Sequence, residues 1–331
     1  MNKAIIAIAT LGLLSGSAVA QSNIAIYGVA DAGLVRETGG PAGGVTALAS
    51  GVGSGSRIGF KGKEDLGGGT VALFVIENGY NIDTGAAAQG GLLFGRQAYV
   101  GLANQLGTVT LGRQTSPYYR ALRDVADPFS TGWAGRADNI MANNTRLNNM
   151  VQYASPNLRG LVAELAVGFG ETPGDSARNR AYSTAVSYAN GPLTVALSWH
   201  QLQNATATDH AANTLLAAKY RVGVVEGNLG YAWNRGLGGA DSTDLLLGVS
   251  VPFGGASKVF ASYIRRDDDT AANRDASQWG VGYTYSLSKR TDLYAAYARI
   301  SNRNGATFKV GNATGDGTGK TGLNLGVRHC F

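Results

Sequence analysis

From Ile24 to Phe331 the chain repeats one unit, a run of alternating apolar and polar residues followed by a turn. Leu193, Val195, Leu197 and Trp199 interleave with Thr194, Ala196, Ser198 and His200. Trp279, Val281, Tyr283, Tyr285 and Leu287 form a second such row. Leu161, Ala163, Leu165, Val167 and Phe169 form a third, with Glu164 opposite. A period of two is that of a strand with one greasy and one wet side. The last segment obeys it too: Leu323, Leu325, Val327 and Phe331 share one face, and Asn324, Arg328 and Cys330 the other. Sixteen strands are predicted, centred near Val29, Phe60, Phe74, Tyr99, Leu111, Val151, Leu165, Val186, Val195, Ala218, Leu229, Val249, Ala261, Val281, Ala295 and Val327.

Turn lengths alternate as well. Short turns fall near Gly68, Gly107, Asn157, Gly191, Gly223, Gly254 and Lys289, with longer, polar, Gly-rich connections between them. This is the rhythm of an antiparallel membrane barrel with short turns at one end and long loops at the other. The same alternation suits a sandwich or a soluble barrel facing a core. The number of repeats and the closing strand favour a transmembrane antiparallel β-barrel, with its last strand paired to the Ile24 strand so that no edge is left.

The start of the chain changes the compartment. Met1 to Ala20 carries Lys3, a mostly apolar run from Ala4 to Leu14, and Ala18-Val19-Ala20 before Gln21. These are the parts of a cleaved secretory signal, and the apolar run is too short for a membrane anchor. The expected division is a signal peptide over 1–20 and one barrel domain over 21–331. Beyond the signal no stretch of about 20 apolar residues occurs, so no spanning helix is expected. The 49 Gly and 15 Tyr against 7 Pro suit coiled strands with aromatic girdles. The single cysteine, Cys330, rules out an internal disulfide. The net charge of +6 is scattered, with no dense Lys/Arg run. A nucleic-acid partner is therefore not expected, and an arginine-lined lumen fits better.

One connection stands apart. Ser116 to Asn144 carries Tyr118, Tyr119, Arg120, Arg123, Asp124, Asp127, Phe129, Trp133, Arg136 and Asp138. A connection this long inside a compact domain is usually functional or disordered. Its aromatics and alternating charges argue against disorder and are compatible with a loop that folds into the barrel and narrows it. Arg57, Arg96 and Arg146 sit at predicted wall positions, Arg57 beside Lys61 and Lys63 and Arg146 beside Asn148 and Gln152. An arginine facing lipid at mid-bilayer costs roughly 2–4 kcal/mol. Two or three such costs would rival a domain's whole stability of roughly 5–15 kcal/mol, which assigns these side chains to the lumen. Charge rings at a constriction select ions and orient polar solutes.

Other chemistry is weakly represented. Catalysis needs a nucleophile–base or acid–base constellation. Of His200, His210 and His329, only His200 faces the lumen, and no Ser or Asp motif accompanies it. No enzyme activity and no cofactor are expected. No Cys/His cluster has metal-ligand spacing, and Asp267-Asp268-Asp269 reads as an exposed loop tip. A substrate-specific sugar channel would need an aromatic track. Most strand aromatics fall on the apolar face, but Tyr118, Tyr119 and Trp133 on the long loop keep that reading open.

Several segments carry a family resemblance. Ile26-Tyr27-Gly28-Val29-Ala30-Asp31-Ala32-Gly33 resembles the first strand of Gram-negative general porins, and Ser56 to Gly69 their second strand and turn. Phe94 to Leu102, Gly107 to Gln114 and the terminal Gly326 to Phe331 are similar to further strands, in the wording of the β-proteobacterial type. The resemblance spans the whole mature chain. It implies a homotrimer of sixteen-stranded barrels in the cell outer membrane, each with a water-filled pore for ions and small hydrophilic solutes. It implies a third outside loop folded inward as an eyelet. By motif position the constriction would hold Arg57, Arg96 and Arg146, faced by Asp124 and Asp127, with Arg113 near the loop entrance. Basic wall residues outnumber the loop acids, so mild anion preference is expected. Outer-membrane lipid, lipopolysaccharide and the barrel assembly machinery, reading Phe331, are the implied partners. The chain departs from the pattern at Val29, where enteric porins often place lysine, at Cys330, and over Trp133 to Asn144.

Overall fold

A computed structural model describes residues 23–331, so the expected signal peptide over 1–20 lies outside the described residues. Seventeen strand segments form one antiparallel sheet. They are β1 (Asn23–Gly40), β2 (Gly43–Ser50), β3 (Arg57–Gly67), β4 (Thr70–Gly79), β5 (Gln97–Asn104), β6 (Gly107–Thr115), β7 (Arg146–Ala154), β8 (Leu161–Gly168) and β9 (Ala181–Asn190). There follow β10 (Leu193–Gln203), β11 (His210–Val222), β12 (Val225–Arg235), β13 (Asp241–Phe253), β14 (Ser257–Asp268), β15 (Ala276–Ser286), β16 (Thr291–Asn302) and β17 (Thr321–Cys330). All sixteen expected centres fall within strands, and each expected short turn joins consecutive strands.

The sheet closes on itself. β17 pairs β1 from Cys330 against Val29 to Thr321 against Thr38. Beyond it, Phe331 and Gly28 exchange N–H···O bonds of 3.1 and 2.9 Å. Closure satisfies both edge ladders, as a barrel in lipid requires.

The segment without a predicted counterpart is β2. Strand β1 runs on to Gly40 and turns back through Pro41 and Ala42, and Gly43–Ser50 then pairs with its upper half. The lower half, Asn23 to Val29, pairs with β3. Both lie on the side of β1 away from β17, so β2 and β3 are two pieces of one wall position and the barrel is sixteen-stranded. Small residues in Gly43-Gly44-Val45-Thr46-Ala47-Leu48-Ala49 give β2 little alternation to read.

Between these pieces, Gly51 to Ser56 leaves the wall. The buried Asp31 carboxylate holds it, accepting the N–H groups of Val52, Gly53 and Ser54 at 3.2, 3.0 and 2.7 Å. Tyr294 Oη donates to the same carboxylate at 2.7 Å. A Cβ on Gly326 would lie 2.3 Å from that hydroxyl, so glycine in β17 makes room for the Tyr294 ring.

The burial pattern inverts that of a soluble barrel. Leu323, Leu325, Val327 and Phe331 are exposed, whereas Asn324 of the same strand is 1% exposed. Ile24, Leu197, Leu229 and Trp279 are exposed on the outside, and Ser183, Ser198, Asn228 and Gln278 are buried inside. Apolar outside and polar inside is the arrangement that lipid selects. The apolar interior belongs instead to the connection between β6 and β7, where Tyr118, Leu122 and Phe129 are fully buried. That connection explains the apolar residues on both faces of β14. Val259 and Tyr263 point out, while Phe260 and Ile264 pack inward.

Candidate functional site

The long connection starts with a capped turn. Ser116 Oγ accepts the Tyr119 N–H at 3.1 Å, Pro117 takes the first helical position, and helix α1 covers Pro117–Ala121. Serine before proline is a helix-start signal because the cap supplies the acceptor and proline lacks the unneeded donor. A wider turn over Leu122–Ala126 follows. Tyr118, Leu122 and Val125 then dock on Leu215, Ala217 and Ala232 of the inner wall. Further on, Phe129 and Trp133 pack on Phe260 and Tyr294, with ring centroids 4.8 Å apart for Phe129–Phe260 and 5.9 Å for Trp133–Tyr294. Fully burying each large apolar side chain contributes about 1.5–3 kcal/mol.

Hydrogen bonds pin the same path. Asn228 donates to Val125 O at 2.9 Å, Arg266 to Ile140 O at 2.7 Å, and Gln278 to Gly135 O at 2.9 Å. Wall glycines leave space for it. A Cβ on Gly248 would lie 2.7 Å from Pro128 Cγ, and one on Gly280 would lie 3.0 Å from Gly135 Cα. The glycine content thus serves loop packing as well as strand coiling. Two other segments meet the loop. Trp133 N–H donates to Val52 O at 2.8 Å, and Arg136 Nη1 donates to Asn312 O in the connection between β16 and β17.

Inside this assembly lies a polar cavity of about 690 Å³. Arg57, Arg96 and Arg146 all line it, so the three expected arginines converge. Arg57 opens β3 and Arg146 opens β7, but Arg96 does not lie on a strand. It ends the connection before β5, with its N–H bonded to Glu77 O at 3.2 Å. Around Arg146 the alternation is interrupted. The β6–β7 register shifts between Gly112 and Gln114, and Asn149 adopts φ 51°, so Arg146 is not linked to Gln152 by simple alternation. Arg113 is turned away from the cavity, donating to Gly95 O at 2.7 Å.

The two expected acids separate. Asp124 lines the cavity, paired to Arg123 at 2.7 Å. Asp127 folds back into its own loop. Its buried carboxylate accepts the N–H groups of Phe129, Thr131 and Ala137 at 3.0, 2.8 and 2.9 Å, and it is not among the cavity's lining residues. Burial pushes its pKa up to about 7 against the lowering effect of those donors. Asp138, which does line the cavity beside Arg136, is likewise raised by burial.

Sequence reasoning missed the residue that organises the cluster. Glu77 on β4 is almost fully buried, accepting from Arg96 Nε at 2.6 Å and from Tyr27 Oη at 2.9 Å, with Arg57 Nε 3.7 Å away. Its one signal is an acid directly after the apolar run Val71 to Ile76, within the same strand. Lys258 was missed as well, and Arg328, assigned to the lumen face of the closing strand, was not counted with the cluster; both join the lining from strands far along the chain. Arg328 pairs with Asp292 at 2.9 Å and lies 5.5 Å from the Trp133 ring. Among the described residues, neither Arg146 nor Lys258 forms a salt bridge, and Arg146 Nε is buried without a hydrogen-bond partner. In all, seven basic side chains and three acidic ones line the cavity, which makes its field positive. The lumenal His200 packs 6.2 Å from the Tyr118 ring under the loop, away from the cavity.

A closed sheet that is apolar outside and polar inside, enclosing a charged cavity, defines a transmembrane β-barrel of the channel-forming kind. The model of the Gram-negative porin family matches residues 4–305, and the chain belongs to that family. It is 33% identical to an outer membrane porin protein of Bordetella pertussis and 34% identical to outer membrane porin protein 32 of Delftia acidovorans, in each case over the full length of both chains. Among solved structures it is similar to the anion-selective porin from Comamonas acidovorans, at 30% identity and a TM-score of 0.79, over 94% of this chain and 100% of that one. Its compartment is the outer membrane.

Proposed function

We propose that the protein is a general diffusion porin, passing ions and small hydrophilic solutes without chemical turnover and with a mild preference for anions. The observation that carries this reading is the excess of cationic over anionic side chains around the cavity. The constriction is formed by Arg57 and Arg146 on the wall, by Arg96 at the end of the connection before β5 and by Asp124 on the inward loop, with Glu77 behind Arg57 and Arg96 and Asp127 holding the loop in shape. A solute enters a space where a positive field concentrates anions. The name of the Comamonas relative supports the same sign. Reversal potentials in planar bilayers under a salt gradient test it, and clear cation preference would overturn it.

A signal peptide over 1–20 is removed and the barrel occupies 21–331. The barrels form a homotrimer, which single-channel recordings report as closures in groups of three. The exposed apolar belt meets outer-membrane lipid and lipopolysaccharide, and the barrel assembly machinery reads the closing strand through Phe331, whose ring lies on the outward face.

A further inference from the structure

The wall has a gap beside β1. β2 ends with Ser50 opposite Ala32, and β3 begins with Arg57 opposite Val29, so Ala30 and Asp31 face neither strand. Residues 51–56 cross this gap as an arch inside the barrel, and Gly53, Ser54 and Gly55 line the cavity. Asp31 holds the arch along its whole length. Its carbonyl accepts the Gly51 N–H at 2.7 Å and the Ser56 hydroxyl at 3.0 Å, which fixes the two ends. Its carboxylate accepts the three successive N–H groups between them. Successive N–H groups of this kind form a concavity that takes an anion. Asp31 itself is fully buried, does not line the cavity and forms no salt bridge among the described residues.

The arch touches three parts of the constriction. Ser54 Oγ and Gly55 O accept from Arg57 Nη1 at 3.1 and 2.9 Å. Val52 O accepts the Trp133 N–H at 2.8 Å and the Ala313 N–H at 3.1 Å, which ties in both inward connections. A Cβ on Gly55 would lie 2.6 Å from Arg96 Nη1, so the arch also borders the second arginine. The Arg57 guanidinium thus stands between two sets of acceptors. It is hydrogen-bonded to the arch, whereas Glu77 Oε2 lies 3.7 Å from its Nε, beyond hydrogen-bond distance.

We propose that Asp31 is a positioning residue for ion selectivity: through the arch it keeps the Arg57 guanidinium at the cavity surface and out of a closed ion pair with Glu77. This role rests on the permeation reading and adds to it a residue that never meets the permeating ion. The sign of the effect separates positioning from the charge of Asp31 itself. Neutralising a negative charge behind the cavity makes its field more positive and favours anions. Releasing the arch lets Arg57 close on Glu77, which takes a free cation out of the constriction and disfavours anions. Positioning alone lowers the anion preference.

Reversal potentials in planar bilayers under a salt gradient, for wild type, D31N, R57Q and D31N/R57Q, test this. Asparagine keeps one acceptor oxygen and turns an NH2 donor toward the arch N–H groups, so the arch is released. D31N should lower the anion-to-cation permeability ratio about twofold, the scale of one partly exposed ion pair. In the R57Q background the same substitution should leave the ratio unchanged or raised. An unchanged or raised ratio in D31N alone overturns the proposal. So does an equal fall with and without Arg57, or a loss of barrel stability with no Arg57-dependent shift, which would mark a merely structural role. If D31N forms no barrels, Y294F takes its place. It removes the 2.7 Å hydroxyl donor from the carboxylate and keeps the charge, so a smaller fall that requires Arg57 is expected, and no fall overturns the proposal. Cation preference in wild type would sink the permeation reading by itself, because the dependence of the Asp31 effect on Arg57 is read as a shift from the wild-type value, whatever its sign.

Discussion

Glu77 Oε1 accepts from Arg96 Nε at 2.6 Å, and the carboxylate's other oxygen lies 3.7 Å from Arg57 Nε. One acid on β4 thus orients two arginines that reach the cavity from β3 and from the connection before β5. Glu77→Gln removes the charge that holds them. The expected result is a stronger anion preference, read as a larger reversal potential, together with a lower temperature of barrel unfolding. The arginines are partly solvated, so the loss is about 1–2 kcal/mol, below that of a fully buried pair.

Among the described residues Arg146 has no acid to answer it, in contrast to Arg96. Arg146→Gln should lower anion preference more than Arg96→Gln does. It should also leave thermal stability unchanged or raised, because a cation without a partner loses nothing when neutralised. Comparing reversal potentials and unfolding temperatures of the two variants checks this. Equal effects on selectivity would refute the distinction.

Gly248 faces Pro128 across the lumen wall, where a Cβ would lie 2.7 Å from the proline ring. Gly248→Val should displace the inward loop while the sixteen-strand wall persists. Overpacking of this kind costs about 1–3 kcal/mol. Single-channel conductance should shift, and the segment from Ser116 to Asn144 should become sensitive to protease, with strand content by circular dichroism unchanged.

Asp127 gives the loop a pH dependence. Burial raises its pKa from 3.8 to about 7, so the folded loop holds the proton more tightly than the unfolded chain does. The associated stabilisation is fully present below about pH 4 and is lost as pH rises through about 7. Asp138, also raised and close by, acts in the same direction. Channel closures should therefore become more frequent in wild type above about pH 7. Asp127→Asn keeps one acceptor oxygen, enough for the Thr131 and Ala137 N–H groups but not for that of Phe129, and removes the titration, so its closure rate should be higher than that of wild type at low pH but flat across that range.

The wall was legible because its code is local. A strand's side chains alternate with period two whatever lies beyond it, so spacing alone separates Leu323, Leu325 and Val327 from Asn324 and Arg328, and the number of repeats then assigns the first set to lipid and the second to the lumen. Where a third body touches the wall, the code fails. Phe260 and Ile264 are apolar on the wet face because the inward loop covers them. β2 was passed over because its small residues carry no contrast, and the bulge at Asn149 broke the count that placed Arg146.

The amino-acid sequence by itself therefore determined the barrel, the faces of the strands that alternate, the long connection and the lumenal assignment of Arg57, Arg96 and Arg146, while their meeting at one constriction was implied by the family resemblance. The first four follow from interactions within a strand or from the cost of putting charge in lipid. Only the tertiary structure decided that Glu77 anchors two of those arginines, that Lys258 and Arg328 join them, and that Asp124 faces the cavity while Asp127 turns into the loop. Those outcomes depend on which distant strands closure brings face to face across the lumen, and on how the loop's backbone N–H groups find acceptors once buried.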